Sequence, residues 1–245
     1  GKVMNAGRSA HAVFVLFVLG AASVLAQGRG GGPPPTPRAS AAIDLTGYWV
    51  AVVTEDWQYR MMTPKKGDYG FVPMTPEART IADAWDPAAD EAAGQACRSY
   101  GAPAIMSVPG RVRIGWEDDS TLEVETDAGM QTRLLRFGDR PSGAAPSWQG
   151  DSAAEWQFSR GNVPLVLRPA VRTARDEPSP PSRSGSLKVV TTNLRPGYLR
   201  KNGVPYSGNA VLTEYWEIFK RSNGEEWLTI TSLVEDPQYL REPRL

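Results

Sequence analysis

Apolar and polar residues alternate with a period of two along much of the chain. In RVRIGWE, residues 111–117, Val112, Ile114 and Trp116 fall on one side, against Arg111, Arg113 and Glu117 on the other. That is the pattern of a strand with one covered face. Similar runs rich in β-branched and aromatic residues are GYWVAVVTE (47–55), STLEVET (120–126), MQTRLLRF (130–137), SAAEWQF (152–158), LKVVTTN (187–193), NAVLTEYWEIF (209–219) and EWLTITSLVE (226–235). Several connections have hairpin length. Asp118-Asp119, Asp127-Ala128-Gly129 and Ser222-Asn223-Gly224 supply residues that tolerate the positive φ of tight turns. Eight strands joined this way predict a mainly β protein, an eight-stranded antiparallel barrel.

The pattern changes between Trp57 and Tyr100. Thr75-Pro76-Glu77 combines a cap, a first-turn proline and an acid, and Ala78, Ile81, Ala82 and Trp85 recur at helical spacing. Asp86-Pro87 repeats the signal and starts a second helix running to about Cys97. A short helical pair is therefore expected after the first strand, where it can cover a barrel end. Residues 161–186 have no periodicity and many prolines and serines, and read as a long surface insertion.

The N-terminus belongs to neither pattern. Lys2 and Arg8 precede the apolar run AVFVLFVLGAASVLA, with small residues at Val24 and Ala26, as in a secretory signal peptide over residues 1–26. The run is shorter than the roughly 20 residues of a spanning helix, and no later stretch is longer, so no transmembrane segment is expected after cleavage. Residues 27–42 are a Gly/Pro-rich tether, and residues 43–245 form a single domain. Export to the periplasm or the extracellular space follows as an expectation.

Composition narrows the chemistry. Lys and Arg together number 27, as do Asp and Glu; without Lys2 and Arg8 the balance is 25 against 27. With no basic stripe, nucleic acid is not an expected partner. The only histidine, His11, lies in the signal segment and the only cysteine is Cys97. The mature chain therefore excludes a Ser-His-Asp triad, a Cys-His pair and histidine-ligated zinc or iron within itself. It also excludes an internal disulfide, and no cofactor is expected.

Gly47-Tyr48-Trp49 resembles the Gly-x-Trp opening of lipocalin-like (calycin) barrels, in which the tryptophan closes one barrel end. PSWQGDSAAEW (146–156), LKVVTTN (187–193), AVLTEYW (210–216) and VEDPQYLREP (234–243) resemble, in order, motifs of a family of secreted bacterial proteins of unassigned function. The resemblance implies a lipocalin-like fold and an exported protein, and it lends no activity. The chain departs from that pattern at 161–186 and at RPGYLRKNGVPYSG, 195–208.

Site candidates follow from residue type and strand parity. Trp49, Trp116, Trp156 and Trp216 lie in strands and either fill the barrel or line an apolar cavity. Arg133 shares parity with Leu135 and Phe137, and Glu214 with Leu212, Trp216 and Ile218. If both point inward, they either pair with each other or meet a ligand's polar group. The opposite parity of the Glu214 strand is equally apolar, so an exposed Glu214 stays open. Tyr198 and Tyr206, with Arg195, Arg200 and Lys201, lie in 195–208, which is either a solvated loop or a rim able to hold an anion or a sugar. The expected function is binding of a small apolar or amphipathic molecule inside the barrel. The alternatives are a cofactor-free isomerase, cyclase or hydratase using Glu214 or a tyrosine for proton transfer, and a filled-core interaction module.

Overall fold

A computed structural model describes residues 33–138, 143–158 and 185–244. The expected signal peptide, residues 27–32 of the tether, and the 161–186 insertion apart from Gly185 and Ser186 lie outside the described residues. The unit from Pro35 onward is built on a sheet of eight strands in a nearly closed barrel shape. Its order is β1 (Gly47–Val50), β2 (Arg111–Trp116), β3 (Thr121–Thr126), β4 (Gln131–Phe137), β5 (Asp151–Phe158), β6 (Gly185–Thr192), β9 (Val211–Lys220) and β10 (Glu226–Glu235). A two-stranded hairpin, β7 (Gly197–Arg200) and β8 (Val204–Tyr206), stands apart from the sheet.

Two features correct the expected closed antiparallel barrel. β4 and β5 run parallel, pairing Leu135 with Ser152 and Phe137 with Ala154. A parallel neighbour requires a crossover of about a dozen residues, and the stretch from 138 to 150 supplies it. Closure is also incomplete, because β1 and β10 are the two ends of the sheet order. β1 is shorter than the apolar run of residues 47–55. After Ala51 N–H donates to Gly110 O at 2.9 Å, the backbone leaves the sheet, and Asp56 turns it at φ 48° into the single-turn helix α1 (Trp57–Arg60).

Alternation sorts the side chains as the sequence pattern requires. Leu122, Val124, Leu135, Leu187, Val189 and Trp216 share one buried cluster, each at most 1 % exposed. Ala42 and Leu45, just before β1, join this cluster. Trp116, Phe137 and Trp156 pack ring against ring there, with centroids 5.2–6.4 Å apart. Arg113 lies on the outer face, ion-paired with Glu125 across the β2–β3 ladder.

A second cluster caps the sheet beyond Leu212 and Val234. It contains α2 (Pro76–Asp83), whose Ala78 and Ala82 are fully buried, and the β7–β8 hairpin. The helix starts where its cap stands, with Thr75 Oγ1 accepting from Ala78 N–H at 3.3 Å. Asp86 caps α3 (Pro87–Ala92) through Ala88 and Ala89 N–H. α3 stops short of Cys97, and a 3-10 turn (Ala96–Tyr100) and α4 (Ala102–Ile105) follow it.

The stretch 195–208 is a correction as well. Every residue of β7 and β8 is buried, with no alternation for a sequence pattern to display. The register shifts between Tyr198 and Arg200, as in a bulge that re-aims side chains.

Candidate functional site

The charged pair singled out by parity meets inside the barrel. Arg133 Nη1 donates to Glu214 Oε1 at 3.1 Å and Nη2 to Oε2 at 2.6 Å, and both side chains have no exposure. Arg133 Nη2 also reaches Thr191 Oγ1 at 3.4 Å, and Thr191 shares a 2.8 Å hydroxyl contact with Ser152. β4, β5, β6 and β9 are consecutive neighbours in the sheet, so each contributes one member of a polar layer. Next to it, Asn193 Nδ2 donates to Asp151 Oδ2 at 2.8 Å. The Asp151-Ser152, Thr191-Thr192-Asn193 and Thr213-Glu214 segments are thus neighbours in the sheet. The Asp-Pro segment anchors the cap: Asp236 accepts from Ser207 N–H at 2.6 Å and from Ser207 Oγ at 2.8 Å.

The other sequence candidates are dispersed. Trp216 is fully buried and Trp156 is 9 % exposed, with Trp156 Nε1 donating to Pro37 O at 2.9 Å. Trp116 belongs to the aromatic cluster at the Leu45 end of the barrel. Tyr198 and Tyr206 lie in the cap. Tyr198 donates to Asp90 Oδ2 at 2.8 Å, and burial, reinforced by that bond, pushes its phenol up to about 12. Burial also raises the Tyr206 phenol well above its ordinary range. Trp49, of the eight candidates, lines the larger of two adjoining pockets.

That space is the seam left between β1 and β10. A groove of about 320 Å³ runs between Trp49 on one side and Leu228 and Ile230 on the other, floored by Val112, Ile105 and Met106. Trp49 is held by its indole N–H, which donates to Leu45 O at 3.0 Å. Register explains the shape: Trp49 lies opposite Val112 across β1–β2, while Leu228 and Ile230 lie opposite Ile218 and Trp216 across β9–β10. Each edge strand presents apolar side chains to a gap that no ninth strand fills. Asp127, Arg111 and Glu55 border the groove with polar groups.

A smaller pocket of about 150 Å³ adjoins the groove; Glu55, Arg60, Met106, Val108 and Ile230 line both. Its far wall is made by Arg200 of β7, Lys201 and Arg244. Arg244 is placed by an antiparallel bridge to Val234 on the free edge of β10. The sequence marked Arg200 and Lys201 as loop cations. Arg60 and Arg244 carried no signal, because only the turn at Asp56 and the return of the C-terminal segment bring them here.

Among the described residues, no group of three or more His, Cys, Asp or Glu side chains is placed to hold a metal ion. No described helix is long and apolar enough to cross a membrane. No protein-family model, curated protein or solved structure matches the chain.

Proposed function

We propose that this chain binds a small apolar or amphipathic molecule, and that the molecule lies in the seam groove and not along the barrel axis. The observation that carries the reading is the contrast between two apolar surfaces. The interior is filled to solvent exclusion around Leu135, Val189 and Trp216, while Trp49, Leu228 and Ile230 face an open groove with the volume of a small-ligand site. Both oxygens of Glu214 are engaged by Arg133, which leaves that carboxylate a structural partner and not a proton carrier. The lipocalin-like affiliation and export from the cell are part of the same proposal, supported by the Gly-Tyr-Trp opening and the N-terminal apolar run.

Titration of the full chain with 1-decanol, followed by tryptophan emission, tests the reading. Trp49 and Trp227 line the groove, so saturable quenching at one molecule per chain is expected. Leu228→Asp, which puts a charge on the groove wall, should weaken binding at least about tenfold, since a charge buried against an alkyl chain is costly. Absence of saturable binding to the folded wild-type chain overturns it.

A further inference from the structure

The smaller pocket holds more positive charge than its surroundings neutralise. Arg60, Arg200, Lys201 and Arg244 face Glu55 and Asp56 across it. The two acids are exposed and screened by solvent, whereas Arg200 is only 6 % exposed. Arg200 Nη1 donates to Gly70 O at 2.7 Å and the guanidinium lies 4.0 Å from the Tyr59 ring centroid, but its Nε has no hydrogen-bond partner. Among the described residues, neither Arg200 nor Arg244 has a carboxylate within ion-pair distance. Burial lowers the proton affinity of Arg200 and the neighbouring Arg244 lowers it further, with Tyr59, Asp56 and Asp68 opposing them. Burial does the same at Arg244, with Asp56 opposing it. A buried guanidinium at Arg200 beside the half-buried one of Arg244 is costly unless an anion joins them.

We propose that this pocket is an oxyanion subsite, and that it receives the carboxylate head of an amphipathic ligand whose tail lies in the seam groove. This rests on the groove being a binding site and adds the charge of its occupant. Ile230, Met106 and Val108 line both spaces, with Glu55 and Arg60 at the same boundary, so the apolar groove is continuous with the cationic pocket. Guanidinium forks match a carboxylate's two oxygens, and Ser232, which also lines the pocket, supplies a hydroxyl group. Leu199 packs in the cap core, and it and Arg200 both line the pocket. The hairpin thus has a positioning role beyond packing.

The test compares decanoate with 1-decanol at neutral pH by calorimetry on the full chain, with acetate as the head group alone. Decanoate should bind at least about tenfold tighter than decanol, as expected for a charge-assisted pair of hydrogen bonds, and acetate only weakly. Arg200→Gln and, separately, Arg244→Gln should bring the decanol-to-decanoate ratio close to one. Arg244 makes no side-chain hydrogen bond or ion pair among the described residues, so that variant keeps the test open if Arg200→Gln unfolds. Decanol and decanoate binding equally to the wild-type chain would overturn the anion subsite and leave the groove standing. If neither ligand binds, both proposals fall. A preference for decanoate that survives both substitutions also overturns the assignment, since the anion would then lie elsewhere.

Discussion

Glu214 shows what parity reveals and what it leaves open. Either face of its strand was apolar enough to be the inner one, so the pattern alone left the carboxylate inside or outside. Register decides it: Glu214 lies opposite Val189 and Ser232, and Trp216 opposite Leu187 and Ile230, which turns the even-numbered face inward. The partner was visible in the sequence as Arg133 on an otherwise apolar face; the Thr191 and Ser152 contacts that complete the layer were not, because hydroxyls on strands have no distinctive spacing. A buried ion pair is weak evidence of net stability, but breaking one leaves a lone buried charge. Glu214→Gln is therefore expected to cost about 3–5 kcal/mol in unfolding free energy, measured by denaturant titration. Replacing the pair together, Arg133→Met with Glu214→Leu, should recover most of that loss. A Glu214→Gln chain with wild-type stability would show that the pair is not the constraint described.

Most of the sheet was legible in the sequence. The expected strands at 111–117, 120–126, 130–137, 152–158, 187–193, 209–219 and 226–235 overlap β2 to β6, β9 and β10 closely, because each has one covered face and ends at a turn. β7 and β8 were not, because both of their faces are covered and a period-two signal vanishes when every position is buried. The parallel β4–β5 pair was missed for another reason: strand signals carry no direction, and the 138–150 connection is long enough for a neighbour of either sense. The hairpin turn itself is tightly specified. Gly203 sits at φ 86°, and a Cβ added there would run into the Trp85 side chain, so Gly203→Ala is expected to destabilise by about 1–3 kcal/mol through strain and overpacking. Thermal melts of this variant against Gly67→Ala, where φ is also positive but nothing lies within 4 Å, separate the two causes. Equal losses would mean that the Trp85 contact is negligible.

At the scale of the molecule, the cap concentrates buried phenols. Tyr198 and Tyr206 are both held protonated by burial, Tyr198 up to about 12. A native phenol pKa above its unfolded value means that the folded chain binds more protons at high pH. The contribution is then full below the ordinary tyrosine pKa and is lost as pH rises toward the raised value. Unfolding free energy should therefore be insensitive to these groups up to about pH 10 and fall between about pH 10 and 12. Tyr198→Phe should reduce the slope in that window, as read from urea titrations at successive pH values, and an unchanged slope would remove Tyr198 as a source. The same cap carries Arg200 and α4 toward the seam, so the smaller pocket forms where α1, α4, the hairpin and the C-terminal bridge meet. None of that assembly is local in sequence, which is why the strands were readable and the site was not.

The central claim, that the ligand site is the seam and not the barrel axis, is tested most directly by mapping amide and indole shifts of the full chain by nuclear magnetic resonance during titration with 1-decanol. The account predicts changes at Trp49, Met106, Leu228 and Ile230, with the amides of Leu135 and Val189 and the indole of Trp216 unmoved. Shifts centred on Leu135, Val189 and Trp216, with Trp49 and Leu228 silent, would place the ligand inside the barrel and contradict it.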